Sequence, residues 1–339
     1  MIKAKIKTLL GKLVTTGKIG SRQANCLFVH IPKTAGTSFR CGVEDKYNVI
    51  SDYGINSERT SKKLKEKIYV QRNPFALKTK LRNNTSFWIF GHVSLQKYID
   101  FVPVINTVSF VRSPIEQVVS HYNHFVSHYN FKGNVEDFIK KAGILNVQHR
   151  LLAFMPVGLI GCLGITEEYA DSLLLINHHL QTDFPLKTAN VNTTKSISAD
   201  DIDVKLQELI LSKNHLDVSL YSEACFIFKQ RLEQLEAQKP WVYAYVHVNC
   251  NNVVHGCAYF ADKQDVVILA VHVNDKEIKQ IKAQDFYKEY TKANFPRQRY
   301  IGFRFDLPKY VSEKHSIDVY VKETGQKINY KALKSFIKK

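Results

Sequence analysis

Long hydrophobic runs are missing from this chain of 339 residues, and none approaches the roughly 20 apolar residues that a helix needs to cross a bilayer. Cysteine is scarce too. The six cysteines contain no C-x-x-C pair, which argues against a disulfide scaffold and against a cysteine-based zinc or redox site. The amino terminus has neither the apolar core nor the small-residue cleavage site of a signal peptide. These absences favour a cytoplasmic protein with reduced thiols.

Acidic residues are outnumbered by basic ones, 31 to 48, and the formal net charge is +17. A surface of this sign attracts anions, which include nucleotides, sulfated glycans, nucleic acid and acidic lipids. Hydrophobic residues make up 45% of the chain, an ordinary share for a globular protein, which excludes a disordered or fibrous one. The length predicts two domains or one large one.

Residues 1–24 predict a basic amphipathic segment. Lysines alternate there with apolar side chains at helical spacing, which are Ile2, Ile6, Leu9, Leu10 and Leu13. A helix of this kind packs against its own protein or lies on an anionic membrane surface. Peripheral contact of residues 1–19 with the inner face of the membrane is therefore one of two open interpretations.

Residues 25–239 alternate short apolar runs with helical stretches. We predict strands at residues 26–31, 86–90 and 104–111, and helices at residues 36–45, 114–129, 135–142, 167–176, 201–211 and 218–237. This alternation predicts an α/β fold with a P-loop-like parallel sheet flanked by helices. After Lys239-Pro240, β-rich runs at residues 241–249, 266–273, 301–307 and 317–321 are separated by turn signals. They predict a smaller all-β sandwich over residues 240–339.

The first candidate site is the segment FVHIPKTAGTSF at residues 28–39. A buried strand leads there into a loop with Lys33 and Gly36, and then into a helix. Backbone N–H groups at such a helix start bind phosphate-like anions, and Thr37 and Ser38 add hydroxyl donors. The lysine precedes the glycine, so this is not a Walker A loop. An ordinary strand–turn–helix with a surface lysine fits the spacing equally well.

The second candidate site is the segment VSFVRSPIE at residues 108–116, together with Ser120. Arg112 ends a strand just before a helix, for which Ser113, Pro114 and Glu116 predict a capping box. Ligands of open α/β sheets bind at this edge, and arginine can grip a phosphate with two hydrogen bonds. Taken alone, the pattern also fits an arginine in a surface ion pair.

Together the two segments resemble the 5′-phosphosulfate loop and the 3′-phosphate motif of sulfotransferases that use 3′-phosphoadenosine 5′-phosphosulfate (PAPS). The resemblance points to the glycan branch that includes heparan sulfate 2-O-sulfotransferases and bacterial relatives. Further matching segments lie at residues 91–94 (GHVS), 146–152 (NVQHRLL), 163–168 (LGITEE), 190–192 (NVN) and 220–221 (LY). Two features depart from that branch. Ser113 stands where aspartate is common, and the cysteines and membrane anchor of secreted-pathway members are absent, which favours a bacterial cytosolic type.

The resemblance implies a sulfotransferase-type fold and transfer of a sulfuryl group from PAPS to a hydroxyl of a carbohydrate acceptor, with PAP as the product. It assigns His92 as general base and Lys33 as the group that stabilises the leaving phosphate. It assigns the 5′-phosphate to the loop residues Lys33, Thr34, Ala35, Gly36, Thr37 and Ser38. Arg112 and Ser120 would bind the 3′-phosphate. Gln148 and Arg150 would lie near the cofactor or acceptor, although helix packing explains them equally well.

The histidine-rich helix at residues 121–128 is the main candidate for a metal site. His124 and His128 are four residues apart, a spacing that can bind metal, but no further ligand set supports this. We expect no metal, and we expect the histidines to face the acceptor cleft instead.

The C-terminal segment loosely resembles a β-sandwich module of bacterial glycan-modifying enzymes. Its aromatic and basic residues would contact the acceptor glycan or form the core and an interdomain contact; they are Trp241, Tyr243, Tyr245, Arg297 and Arg299. Two other functions stay open for the chain. One is a nucleotide-dependent phosphotransferase, which lacks a Walker loop here, and the other is a non-catalytic glycan- or nucleic-acid-binding protein, for which no specific nucleic-acid motif is present.

Overall fold

The computed structural model describes residues 25–82, 86–186 and 197–335. The predicted amphipathic segment at residues 1–24 and the NVN segment at residues 190–192 lie outside these ranges.

A five-stranded parallel sheet forms the first part of the described chain. Its strands are β1 (Cys26–Val29), β2 (Val49–Asp52), β3 (Trp88–Gly91), β4 (Thr107–Val111) and β5 (Cys162–Ile165). They pair in the order β2-β3-β1-β4-β5. Nearly every residue of these strands is buried, as expected for a parallel sheet covered on both faces.

Helices connect and flank these strands. They are α1 (Gly36–Glu44), α2 (Lys62–Leu64, continued by a π-helical turn at Lys65–Val70), α3 (Pro74–Arg82), α4 (Pro114–Tyr129), α5 (Val135–Ile139), α6 (Val147–Leu152), α7 (Tyr169–Leu180), α8 (Val204–Lys213) and α9 (His215–Glu236). Short 3-10 turns follow β3 at Leu95–Lys97, Ile99–Phe101 and Val104–Asn106. None of the helices in the described part of the chain is long and apolar enough to cross a membrane.

The start of α4 departs from the prediction. Its bounds match residues 114–129, and Pro114 occupies the first turn, but Ser113 makes no side-chain cap bond. The predicted capping box is wrong because both partners are otherwise engaged. The Glu116 carboxylate accepts a 2.8 Å hydrogen bond from Arg112, and the Ser113 N–H donates to Glu167 at 2.8 Å.

The C-terminal part is all-β, with two antiparallel sheets. One contains β6 (Val242–Val248), β7 (Val253–Phe260), β10 (Asp285–Phe286) and β11 (Tyr300–Asp306), and the other contains β8 (Ile268–Val273), β9 (Lys276–Lys282) and β12 (Ile317–Val321). Apolar side chains from both sheets form one core, for example Val246, Val271 and Val319. The predicted fold class, a helix-flanked parallel sheet followed by a smaller all-β part, is confirmed.

The opposite face of the β6 sheet packs against the α/β part. Tyr243 is buried, and its hydroxyl donates a 2.5 Å hydrogen bond to the Gly161 carbonyl. Arg231 of α9 donates to the same carbonyl at 2.6 Å and to the Tyr243 oxygen at 3.1 Å. Trp241 also lies over this arginine. Arg299 donates to the backbone carbonyls of Tyr287 and Ala293. These aromatic and basic residues therefore make structural contacts.

Candidate functional site

The carboxyl ends of four strands bring the candidate segments to one edge of the sheet. The loop 30–35 follows β1, Tyr53 follows β2, His92 follows β3 and Arg112 follows β4. The backbone N–H of His30 donates to the Gly91 carbonyl at 2.9 Å, which joins the β1 and β3 ends directly. Gly91 also lets β3 approach β2 closely, because a Cβ atom there would lie 2.2 Å from the Asp52 carbonyl oxygen.

The loop before α1 is tightly wound around a buried histidine. Lys33 and Ala35 both have left-handed backbone angles, with φ of 66° and 63°, a conformation that costs energy for residues other than glycine. At Gly36, a Cβ atom would lie 2.2 Å from Cδ2 of His30, so only glycine fits. The helix then starts with alanine as its N-cap. Alanine has no side-chain acceptor, which leaves the first-turn N–H groups for another acceptor.

Lys33 and Arg112 place two cations side by side at this helix start. An Arg112 Nη1 lies 3.4 Å from the Lys33 carbonyl oxygen. Partial burial and the charge of Arg112 lower the pKa of Lys33. Arg112 Nε is buried and has no hydrogen-bond partner among the described residues. Arg112 is already paired with the Glu116 carboxylate at 2.8 Å, the ion pair that the sequence left open, so its Nε is the donor that remains for a further anion.

The backbone of Arg112 is held by Gln148, which is fully buried. The Gln148 carboxamide accepts from the Arg112 N–H at 2.8 Å and donates to the Arg112 carbonyl at 2.8 Å. Gln148 is positioned in turn by Asp217 of α9. This buried carboxylate accepts from the N–H groups of Gln148 at 3.3 Å and His149 at 2.7 Å. It therefore caps the start of α6, and Gln148 acts as a positioning residue.

His92 is oriented by a backbone hydrogen bond. Its Nδ1 lies 2.6 Å from the carbonyl oxygen of His30. A carbonyl only accepts, so Nδ1 carries the proton and the lone pair of the neutral ring is on Nε2. The side chain is open to solvent at one side, yet the surrounding protein and the charge of Arg59 lower its pKa below the ordinary value of 6.5. His92 is thus a neutral imidazole whose lone pair is on Nε2.

A second histidine supports the first. The rings of His30 and His92 lie 4.5 Å apart. Arg40 donates to the Tyr53 oxygen at 3.1 Å, and the Tyr53 hydroxyl lies 3.0 Å from Nδ1 of His30. Burial and the neighbouring positive charges hold the pKa of His30 well below 6.5, so the ring is neutral and one hydrogen bond joins its Nδ1 to the tyrosine hydroxyl. These hydrogen bonds hold His30 in place, and with it the carbonyl that orients His92.

The histidines of α4 face the same space. Burial lowers the pKa of His121 and of His124 to about 4, and the charges of Lys33 and His92 contribute to both shifts. His124 and His128 stack with ring centres 4.2 Å apart. His121 and His124 therefore interact electrostatically with groups of this edge, and their position next to an acceptor cleft stays a prediction.

Some of the predicted residues take other roles. Thr34 is fully buried, and its hydroxyl donates to the Ile31 carbonyl at 3.0 Å, so its side chain braces the loop. Arg150 is exposed and donates to the Gly143 carbonyl, away from the loop. Thr37 is exposed in the first turn of α1, and Ser120 is half-buried in α4.

Sequence reasoning missed the residues that follow β2. Tyr53 supports His30, and Arg59 acts electrostatically on both His30 and His92. Asp52 is buried and accepts hydrogen bonds from Tyr69, Lys97 and Tyr98 at 2.6–2.7 Å. The apolar pair Val49-Ile50 is the signal that could have revealed this strand end.

The site offers hydrogen-bond donors to anions at two positions. The uncapped start of α1 and Lys33 offer donors to one anionic group. The unsatisfied Nε of Arg112 offers a donor to a second. These features belong to one sheet edge, and each is a property of the side chains and backbone present.

No family model matches the chain, and no curated protein does. Among solved structures, a sulfotransferase from Alicyclobacillus acidocaldarius is similar at 12% identity and a TM-score of 0.35, over 63% of this chain and 96% of that chain. A similarity this weak defines neither the fold nor the function. The fold rests on the sheet topology, and the function on the geometry of the site.

Proposed function

We propose that the protein is a sulfotransferase that moves a sulfuryl group from PAPS to a hydroxyl of a carbohydrate acceptor, with His92 as general base. The observation that carries this proposal is the hydrogen bond from His92 Nδ1 to the His30 carbonyl at 2.6 Å. It leaves a neutral Nε2 at the sheet edge that also holds Lys33 and Arg112. A phosphate-binding edge combined with an oriented base matches what activation of an acceptor hydroxyl requires.

The residues divide the work between binding and proton transfer. Lys33 and the first-turn N–H groups of α1 would hold the 5′-phosphosulfate, and Arg112 the 3′-phosphate. The donor supplies the sulfuryl group: the acceptor oxygen gains a bond to sulfur as the bond from sulfur to the phosphate oxygen breaks. His92 Nε2 takes the proton of the acceptor hydroxyl. Lys33 opposes the negative charge that develops on the departing phosphate oxygen.

A carbohydrate acceptor is supported by an open crevice of about 520 Å³ beside the segment that follows His92. Its lining includes Ser94, two residues after His92, together with Gln96, Lys97 and Lys292. Amides and lysines are the groups that hydrogen-bond hydroxyls and attract anionic substituents. A larger crevice of about 670 Å³ adjoins it and extends to Asn25 and Asn294, near the amino ends of β1 and β4 and away from the edge that holds His92. Lys292 comes from the all-β part, so both parts of the chain would contact the acceptor.

The first test is thermal unfolding with adenosine 3′,5′-bisphosphate (PAP), with AMP and ATP as controls. Ligand at about 100 times its dissociation constant should stabilise the protein by about 2.7 kcal/mol. The shift should vanish in Arg112→Ala. It should persist in the matched variant Arg150→Ala, which removes an exposed arginine of α6. A shift with ATP and AMP but none with PAP would contradict the donor assignment.

The second test is transfer of labelled sulfate from PAPS to a panel of glycans, with wild type and His92→Ala. Loss of a positioned base should lower kcat by about 10²–10⁴-fold, while the PAP-induced stabilisation stays intact. Lys292→Glu should raise KM for an anionic glycan and leave PAP binding unchanged. Donor binding without transfer to any glycan would retain the cofactor site and refute the carbohydrate acceptor.

A further inference from the structure

Three potential metal ligands meet on the β6 sheet, outside the site described above. His247 of β6 and His255 of β7 are directly paired across the two strands, with ring centres 3.6 Å apart. Glu289 approaches from the loop after β10, with its Oε1 3.9 Å from Nδ1 of His255. One ligand atom from each of the three residues lies within 4.8 Å of the other two.

The imidazoles of this cluster are not satisfied by protein groups. Nδ1 of His247 and Nε2 of His255 are both buried and have no hydrogen-bond partner among the described residues. Buried polar atoms are normally paired, so two orphans on facing rings require an explanation.

The surroundings hold Glu289 in place without using up its carboxylate. Arg299 donates to the backbone carbonyl of Glu289 and to the carbonyls of Tyr287 and Ala293. The Tyr287 hydroxyl donates to Oε2 of Glu289 at 3.2 Å, which leaves Oε1 toward the histidines. Tyr245 stacks on His247 at 5.1 Å and restricts its ring.

We propose that His247, His255 and Glu289 bind a divalent transition-metal ion of the zinc class. Two imidazoles and one carboxylate form a ligand set that zinc accepts, with water in the fourth position. Zinc–ligand bonds of about 2.0–2.2 Å place tetrahedral ligands roughly 3.3 Å apart. The three ligand atoms, which lie within 4.8 Å of one another, therefore need to approach by at most about 1.5 Å.

A metal here would fix one wall of the larger crevice. Glu289 is two to five residues before Thr291, Lys292, Ala293 and Asn294, which line the larger crevice. Metal binding would link the segment after Glu289 to β6 and β7. It would therefore restrict the positions that the Lys292 side chain can take. The role is structural, and it does not depend on the proposed sulfotransferase activity.

The test is zinc binding by the full-length protein after it has been stripped with a chelator. Zinc is titrated in competition with a chromophoric chelator, and bound metal per chain is counted by emission spectrometry. We expect one equivalent in wild type. His247→Gln, His255→Gln and Glu289→Gln should each weaken binding by more than the roughly 10–100-fold that loss of an outer-shell partner costs. Cobalt should give the visible spectrum of a tetrahedral site in wild type and not in these variants.

Two control variants remove other histidines. His128→Gln breaks the His124–His128 pair of α4, and His272→Gln removes a histidine of the other sheet of the sandwich; both should bind zinc as wild type does. Glu289 is 39% exposed, so its amide variant should fold even if a histidine variant does not. Zinc binding that survives in Glu289→Gln and His255→Gln, or that is lost in His128→Gln, would overturn the proposal, as would wild type that binds no zinc.

Discussion

Replacement of Gln148 by methionine tests how the protein holds Arg112. The variant keeps the volume of the fully buried side chain but removes both 2.8 Å hydrogen bonds to the Arg112 peptide. Each buried backbone group left without a partner costs about 1–3 kcal/mol. Two such groups should lower the free energy of unfolding by roughly 2–6 kcal/mol. Urea unfolding followed by circular dichroism measures this loss.

The same variant should weaken PAP binding. Charge-assisted hydrogen bonds from Arg112 are worth about 1.5–3 kcal/mol, and complete loss of that amount corresponds to about 10–100-fold in dissociation constant. A displaced Arg112 should lose part of this binding energy. Calorimetric titration of PAP measures the resulting rise in its dissociation constant.

Gln326 provides a matched control in the sandwich. It is also buried, and it makes the same pair of bonds to one peptide, accepting from the Val242 N–H at 3.1 Å and donating to the Val242 carbonyl at 2.8 Å. Gln326→Met should cost similar stability and leave PAP affinity unchanged. Equal losses of PAP affinity in the two variants would show that affinity follows stability alone. Wild-type stability and affinity in Gln148→Met would refute the positioning role.

Three further predictions concern the same sheet edge. Gly36→Ala should abolish the PAP-induced rise in melting temperature, because the new Cβ would lie 2.2 Å from a ring atom of the loop histidine. Gly42→Ala in the same helix, with its nearest new neighbour at 3.7 Å, should keep that rise, and equal effects would contradict the packing argument. In pH–rate profiles of the sulfotransferase reaction, the acidic limb of kcat/KM should lie below pH 6.5, because the pKa of His92 is lowered in the free protein; a limb above pH 7 would exclude His92 as the base. Asp52→Asn should destabilise the protein by about 3–5 kcal/mol at pH 7, because the ion pair with Lys97 is broken. Hydrogen bonds lower the folded-state pKa of Asp52 below 3.8, so the stabilisation is present above pH 3.8 and is lost as pH falls through the folded pKa; a difference between variant and wild type that persists at pH 2 would disprove this.

The fold class was predictable because its central elements have strong local patterns. Helix α4 and strand β12 have the predicted bounds, and β1 and β4 lie within the predicted apolar runs. Strands β2 (VISD) and β5 (CLGI) were missed because polar residues or glycine interrupt their apolar runs, so their local pattern is weak and they depend on neighbours in the sheet. Strand β9, KEIKQIK, was missed because it is exposed and rich in lysine, as sheet edges often are.

The candidate site was predictable at the level of segments and not at the level of contacts. Loops that follow parallel strands converge on one edge whatever their spacing in the chain, so Lys33, His92 and Arg112 could be grouped in advance. The hydrogen bonds from Gln148 to Arg112 join residues 36 positions apart, and those from Asp217 to the start of α6 join residues 68 and 69 positions apart. No local pattern encodes contacts of that range. The same holds for His247 and His255, which only strand pairing brings together.

The charges around His92 bear on how well it would serve as the proposed base. Its partly buried surroundings and the charge of Arg59 lower its pKa, so the protein alone weakens His92 as a base. The group that orients His92 is a neutral backbone carbonyl, which raises the pKa less than a carboxylate would. On the proposed function, we expect an anionic donor bound at this edge to offset the charge of Arg59 and to raise the pKa of His92 toward neutrality, where a general base at pH 7 is most effective. Removal of the acceptor proton would then depend on the bound donor, because the ligand that carries the sulfuryl group would also supply the charge that makes His92 more basic.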